Sequence, residues 1–177
     1  FRIADAFGVA VKIRPVMPMV MRGMQVPRPK LKYIIADATR EARRLGIPFG
    51  NMADPVGTGV ERLQAAFHYA RGEHRERDFV VAAGRAVWSK GIDVSTDEGL
   101  RKVTAKTGLF WPDVLKAIEA DEWRAETEAN RAAMMKSGSW GVPTVRIGDW
   151  VCWGQDRDWL VARHLGELCD GGDGILR

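Results

Sequence analysis

The chain has 177 residues, 46% of them hydrophobic, so it can bury a core as one domain or as one domain with an insertion, which argues against disorder. Its formal net charge is +4, but the basic residues are not concentrated in one stretch, which argues against a nucleic-acid partner. No apolar run approaches the ~18 residues of a membrane span, and Cys152 and Cys169 are too few for a disulfide framework, so we expect a cytoplasmic protein that does not enter a membrane.

A helix end and a strand are predicted at the start of the chain. Residues 1–7 read as the last turns of a helix that Gly8 ends, and the side chains from Val9 to Arg14 alternate with a period of two. After a connection rich in proline and methionine, a longer helix is predicted by apolar residues at three- and four-residue steps: Leu31, Ile34, Ile35, Ala38, Ala42 and Leu45. Gly46 ends that pattern.

The middle of the chain, from about Val60 to Ser137, is predicted to be helical throughout. Apolar stripes repeat there at helical spacing. Two helix starts are marked, one by a capping box from Ser95 to Glu98 and one by Pro112 in a first turn. A further helix is predicted from Asp121 to Lys136, so no strand is expected in this region.

The last part of the chain changes character. Two short strands, Thr144–Ile147 and Trp150–Trp153, flank the two-residue loop Gly148-Asp149, and this pattern predicts a β-hairpin. The final helix is predicted to open at Gln155 and Asp156, because acidic residues favour the positive end of a helix dipole.

Pro143 stands at the head of the first of these strands, where it removes one ladder hydrogen bond. It is either an ordinary edge-strand proline, or the Val142–Pro143 bond is cis and leaves the N–H and C=O of Val142 free to bond an extended peptide in strand fashion. Asp156 has two interpretations as well. It is either a simple helix cap, or it belongs to a helix N-terminus that receives an anion while its carboxylate meets a cation.

Three stretches together carry a resemblance to a known family: Gly141-Val142-Pro143, Trp153-Gly154-Gln155-Asp156-Arg157, and the segment from Arg14 to Phe49. On these the chain resembles the thioredoxin-fold group of 2-hydroxychromene-2-carboxylate isomerases, kappa-class glutathione transferases and DsbA-like oxidoreductases. The resemblance implies an α/β fold of thioredoxin type, β-α-β…β-β-α, with an all-helical insertion. It assigns residues 1–29 and 138–177 to the thioredoxin-like domain and residues 30–137 to the insertion.

The resemblance also implies glutathione as a cofactor and a set of residues that hold it. The backbone of Val142, which precedes a cis Pro143, would pair with the cysteinyl part. The backbone N–H groups of Gln155 and Asp156 would bind the γ-glutamyl carboxylate, and the Asp156 side chain would bind the γ-glutamyl ammonium. Lys30, three residues before a tyrosine as in the family, would reach the glycyl carboxylate.

A group of methionines precedes the first long helix. Met17, Met19 and Met21, together with Met24, are expected to form an adaptable wall of the substrate pocket, because thioethers suit flat apolar molecules. Met21 also marks a departure from the family, whose members carry an asparagine nine residues before the lysine that corresponds to Lys30.

The catalytic residue of the family is not found in this sequence. In the family it is a serine, or the first cysteine of a CxxC pair, at the start of the helix whose last turns correspond to residues 1–7. The first strand of the sheet would precede that residue and would lie between the strands predicted at Val9–Arg14 and Thr144–Ile147. We therefore expect a first strand and a catalytic residue N-terminal to Phe1.

The resemblance therefore implies a homodimeric, glutathione-dependent isomerase or transferase that acts on a small electrophilic molecule derived from an aromatic compound. Two alternatives remain open. One is a DsbA-like thiol-disulfide oxidoreductase with its CxxC before Phe1, and the other is a non-catalytic thioredoxin-like binding module. A metal site is not expected, since His68, His74 and His164 lack the spacing of a metal pair.

Overall fold

The computed structural model describes residues 1–170. Within them lie eight α-helices, a 3₁₀ turn at Met19–Arg22 and one antiparallel hairpin of two strands. The helices are α1 (Arg2–Ala6), α2 (Arg28–Leu45), α3 (Thr58–Gly72), α4 (Glu76–Ser89), α5 (Asp97–Lys106), α6 (Trp111–Glu119), α7 (Glu122–Lys136) and α8 (Asp158–Asp170). The strands are β1 (Thr144–Ile147) and β2 (Trp150–Trp153). None of the helices in residues 1–170 is long and apolar enough to cross a membrane.

The chain forms two compact units. One, here called the helical unit, contains residues 13–130, and the other, the hairpin unit, contains residues 1–12 together with the described residues from Arg131 onward. The helical unit holds α2 to α6 and the first part of α7. The hairpin unit holds α1, the end of α7, both strands and α8.

The core of the helical unit lies where α3, α4, α5 and α6 pack together. Ala66 and Ala70 of α3 are completely buried, and their small side chains let neighbouring helices approach closely. The larger side chains that fill the space between the helices are Phe67, Phe79, Val87, Leu100, Val103 and Val114. Each helix contributes residues at three- or four-residue spacing, so the helical periodicity predicted for this region is confirmed.

The start of α5 differs by one residue from the prediction. Thr96, and not Ser95, is the N-cap, since its Oγ1 accepts a hydrogen bond from the Gly99 N–H at 3.1 Å. Ser95 instead donates to Asp93, from its hydroxyl at 2.6 Å and from its backbone N–H at 2.9 Å. The Ser95 hydroxyl, and then its backbone N–H, lower the pKa of Asp93 below its usual value. Because Ser95 is bonded to Asp93, the next hydroxyl residue, Thr96, becomes the N-cap of α5.

The strand predicted at Val9–Arg14 is wrong for the described chain. A strand exists only with a hydrogen-bonded neighbour, and the sheet within residues 1–170 consists of β1 and β2 alone. The chain that follows is held through carbonyl oxygens instead. Asn130 Nδ2 donates to the Pro15 carbonyl at 3.0 Å, and Gln64 Nε2 donates to the Val16 carbonyl at 3.2 Å.

A charged cluster joins α3 to α7 in the helical unit. The Arg71 guanidinium bonds both carboxylate oxygens of Glu126, and His68 Nδ1 lies 2.8 Å from Glu126 Oε2. The bonds from Arg71, followed by the bond from His68, lower the pKa of Glu126 to about 2, although partial burial opposes the shift. The Glu126 carboxylate thus stays ionised far into the acidic range.

Replacing Glu126 with glutamine is expected to lower the free energy of unfolding at neutral pH by about 1–2 kcal/mol, less than the pKa shift alone would give because the cluster is partly exposed to water. A folded-state pKa below the unfolded value means that this stabilisation is complete above the unfolded pKa and is lost as the pH falls towards 2. Urea unfolding across that acidic range should therefore show the two proteins converging. Glu167→Gln, at an exposed pair within α8, should change stability little. A stability difference that does not vary with pH would contradict the role of the Glu126 charge.

Candidate functional site

The hairpin positions the candidate site in the hairpin unit. The strands pair antiparallel, with Thr144 opposite Trp153 and Ile147 opposite Trp150, which confirms the predicted hairpin. Its loop begins at Gly148, whose positive φ of 57° suits glycine. Pairing extends one step past the strands, because the Gly154 N–H donates to the Pro143 carbonyl at 3.1 Å. The ends of the two strands are thereby held together at Pro143 and Gly154.

The residue before Pro143 presents backbone groups that the described chain does not use. The Val142–Pro143 peptide bond is cis, and Val142 is 52% exposed. Neither the N–H nor the C=O of Val142 forms a hydrogen bond with another residue of 1–170. The turn around it is fixed by Thr144, whose Oγ1 donates to the Gly141 carbonyl at 2.6 Å and lies 2.7 Å from the Ser139 hydroxyl. A firmly held turn thus carries one open donor and one open acceptor.

Two tryptophans pack beside this turn. The ring centroids of Trp140 and Trp153 are 4.8 Å apart with a tilt of 51° between the planes, and the residues remain 37% and 40% exposed. A Cβ atom at Gly141 would lie only 2.6 Å from Trp153 Nε1, so the absence of a side chain at Gly141 lets the indole contact the backbone. The sequence assigned no site role to these rings. The available signal was the position of Trp140 two residues before Val142.

The last helix begins later than predicted. Gln155 and Asp156 form an exposed turn, and α8 starts at Asp158. The N–H groups of Leu160 and Val161 bond the Arg157 carbonyl, at 3.1 and 3.2 Å, which places the start of the helix there. The prediction that Gln155 and Asp156 form the first helical turn is therefore wrong, and the helix dipole acts on them only from a distance.

The Asp156 side chain nonetheless returns to the end of the hairpin. A Cβ atom at Gly154 would lie 2.7 Å from Asp156 Oδ1, so the carboxylate sits directly over the Gly154 backbone. Arg157 lies on the same glycine and donates from Nη1 to the Trp153 carbonyl at 2.5 Å. Because Gly154 bonds Pro143, the Asp156 carboxylate and the open backbone of Val142 belong to the same end of the hairpin.

The structure brings together Val142, Pro143, Gln155 and Asp156 in the hairpin unit. The remaining predicted site residues belong to the helical unit: Lys30, exposed in the first turn of α2, and Met17, Met19 and Met21, half-buried at or before the 3₁₀ turn. Met21 Sδ accepts a hydrogen bond from the Gly57 N–H at 3.4 Å. Met21 thus has an internal contact where the family pattern has an asparagine.

No group of three or more histidine, cysteine, aspartate or glutamate residues within the described part of the chain is arranged to hold a metal ion.

The chemistry that the Pro143–Gly154 end of the hairpin can perform is binding of a short polar chain. A backbone N–H and C=O pair suits an extended peptide, and an exposed carboxylate suits a cationic group. The two tryptophan rings offer apolar surface beside them.

Comparison with protein families shows a match to a DSBA-like thioredoxin domain over residues 6–166. Three curated proteins named 2-hydroxychromene-2-carboxylate isomerase are similar to the chain. The protein from Sphingobium xenophagum is 28% identical over 129 residues, 73% of this chain and 65% of the relative. The protein from Pseudomonas putida is 26% identical over 140 residues, 79% of this chain and 68% of the relative. The protein from Pseudomonas sp. (strain C18) is 25% identical over 137 residues, 77% of this chain and 63% of the relative. The chain thus spans about two thirds of the length of these relatives.

A solved structure of 2-hydroxychromene-2-carboxylate isomerase is similar to this one with a TM-score of 0.77. The match covers 96% of this chain and 86% of that chain, at 22% sequence identity. At that identity the likeness establishes the fold. The thioredoxin-type fold predicted from the sequence, with its large helical portion, is confirmed.

Proposed function

Because the chain belongs to the DSBA-like thioredoxin domain family, we propose that it is a glutathione-dependent enzyme of the 2-hydroxychromene-2-carboxylate isomerase type. Its substrate would be a small electrophilic molecule derived from an aromatic compound. The observation that carries the proposal is the pairing, at one end of the hairpin, of the open Val142 backbone with the Asp156 carboxylate. Homodimeric assembly, which the family resemblance implies, and a cytoplasmic location, which the cysteine content favours, belong to the same proposal.

The two groups at the hairpin end match two parts of glutathione. The N–H and C=O of Val142 would pair with the main chain of the cysteinyl part as a neighbouring strand would. The Asp156 carboxylate would bind the γ-glutamyl ammonium through a charge-assisted hydrogen bond. Lys30 on α2 remains the proposed partner of the glycyl carboxylate, on the strength of the resemblance. Glutathione would supply a thiol that, once ionised, adds to an electrophilic carbon. The turn at Val142 would fix the orientation of the cysteinyl part, which carries this thiol.

Calorimetric titration of the full protein with reduced glutathione tests the proposal. We expect Asp156→Asn to weaken binding about tenfold, because the variant replaces a charged partner of the ammonium by a neutral one. Asp149→Asn is the matched control. Asp149 is an exposed carboxylate in the loop at the opposite end of the same hairpin, so its loss should leave the affinity unchanged.

The dipeptide cysteinylglycine, which lacks the γ-glutamyl group, adds a second control. It should bind more weakly than glutathione and should not distinguish Asp156→Asn from the unmodified protein. No heat with millimolar glutathione would refute the cofactor assignment. Equal losses in Asp156→Asn and Asp149→Asn would show that Asp156 acts only through general charge.

A further inference from the structure

A cleft in the helical unit, formed along α4 and α5, carries an excess of positive charge. It is open to solvent on one side and has a volume of about 400 Å³, within the range of sites that hold small molecules. Its lining residues are Arg77, Asp78, Val81, Ala82, Arg85, Ala86, Lys90, Ile92, Lys102, Val103 and Lys106. Five of these are basic and one is acidic, which gives a formal charge of +4. The cleft lies entirely within residues 13–130, so it does not depend on the site at the end of the hairpin.

Helical spacing explains how the cleft combines charge with an apolar surface. Arg77, Val81 and Arg85 follow one another at four-residue steps, so they share one face of α4. Val103 of α5 is buried, and Ile92 between the helices is half-buried. The basic residues, in contrast, are all exposed. The cleft therefore has an apolar floor and a cationic rim.

Several of the rim cations have no partner within residues 1–170. The side chains of Arg85, Lys90 and Lys106 form neither an ion pair nor a hydrogen bond with the described residues. Lys102 differs, because its Nζ lies 2.6 Å from Glu98 Oε1 in an exposed pair. Five cations that converge on one concavity with a single carboxylate, Asp78, in its lining raise the local positive potential and attract anions.

We propose that the α4–α5 cleft binds a small organic anion that combines an aromatic ring with a chain of phosphates, as nucleoside triphosphates do. The phosphates meet the cations of the rim, which are spread along two helices and so favour several adjacent negative charges over one. The ring lies on the apolar floor around Val81, Ile92 and Val103. Neither part of this ligand is required by the proposed reaction with glutathione.

The test is calorimetric titration of the full protein with ATP, tripolyphosphate and adenosine at moderate ionic strength without divalent metal. ATP should bind more tightly than tripolyphosphate, which has the charges without the ring, and more tightly than adenosine, which has the ring without the charges. The double variant Arg85→Ala/Lys106→Ala should lose about tenfold in ATP affinity. The control Lys32→Ala/Arg43→Ala removes the same charge from α2, whose residues do not line the cleft, and should bind ATP as the unmodified protein does.

Three results would overturn the proposal. The first is an absence of heat with millimolar ATP. The second is an equal loss of affinity in the two double variants, which would indicate general attraction to a basic surface. The third is equal affinity for ATP and tripolyphosphate, which would show that the apolar floor does not contribute to binding. Because both variants alter only exposed side chains, unchanged thermal unfolding should show that they fold normally. None of these results bears on the glutathione titration.

Discussion

Replacing Gly99 with alanine is expected to destabilise the protein by about 3 kcal/mol, near the upper end for an overpacked site. Gly99 is buried in the first turn of α5, and an added Cβ would overlap the carbonyl oxygen of Asp93 and lie 2.6 Å from its carbonyl carbon. The obstacle is main chain, which cannot rotate away as a side chain does. Moving it would also disturb Thr96, whose Oγ1 lies 3.1 Å from the added atom and caps the helix.

Gly84→Ala is the matched control for Gly99→Ala. Gly84 lies inside α4, and an added Cβ would meet nothing within 4 Å. Alanine there should stabilise the protein by about 0.5–1 kcal/mol through helix propensity. Urea unfolding of both variants measures the two effects. A free energy of unfolding for Gly99→Ala within error of the unmodified protein would show that α5 can shift away from Asp93 at little cost.

Gly141→Ala is expected to destabilise the protein by about 2 kcal/mol and to lower its melting temperature by about 4–8 °C. The added Cβ would lie 2.6 Å from Nε1 and 2.7 Å from Cε2 of Trp153, so the indole has to leave its position. Its contact with Trp140 would be altered with it. Thermal unfolding and near-ultraviolet circular dichroism, which reports the packing of tryptophan, measure the two consequences.

The control for Gly141→Ala lies in the same unit. Gly166 is inside α8, and an added Cβ there meets nothing within 4 Å, so Gly166→Ala should raise stability slightly and leave the tryptophan spectrum unchanged. If the proposed function holds, Gly141→Ala should also weaken glutathione binding, because Val142 is the next residue. An unchanged tryptophan spectrum in Gly141→Ala would contradict the close contact between Gly141 and the Trp153 ring.

The helices could be predicted from the sequence because their signals are local. The spacing of apolar residues fixed α2 to within a few residues, and Gly46, with a φ of 64°, ends the helix as predicted. The hairpin was equally local, since glycine at the first loop position selects the turn that joins β1 and β2. In both cases the information lies within a few residues along the chain.

The predictions that were wrong depended on contacts between distant residues or on a choice between equal signals. The alternation at Val9–Arg14 describes a segment able to form a strand, but pairing depends on a neighbour elsewhere in the chain. At the last helix, Asp156 and Asp158 are both acidic residues suited to a first turn, and the sequence gives no reason to start the helix at one and not at the other. The Trp140–Trp153 contact joins the segment before β1 to the end of β2, so predicting it required both the register of the hairpin and the bare backbone of Gly141.

The segment that follows Val9–Arg14 is held by two side-chain amides that bond the carbonyl oxygens of Pro15 and Val16. Every amino acid has a backbone carbonyl oxygen, so these two hydrogen bonds do not depend on which side chains residues 15 and 16 carry. The two bonds therefore require an amide side chain at positions 64 and 130, whereas at residues 15 and 16 they require only the path of the main chain. A different side chain at position 15 or 16 would leave both bonds available, so the course of the main chain through this segment can be kept while the surface it presents changes.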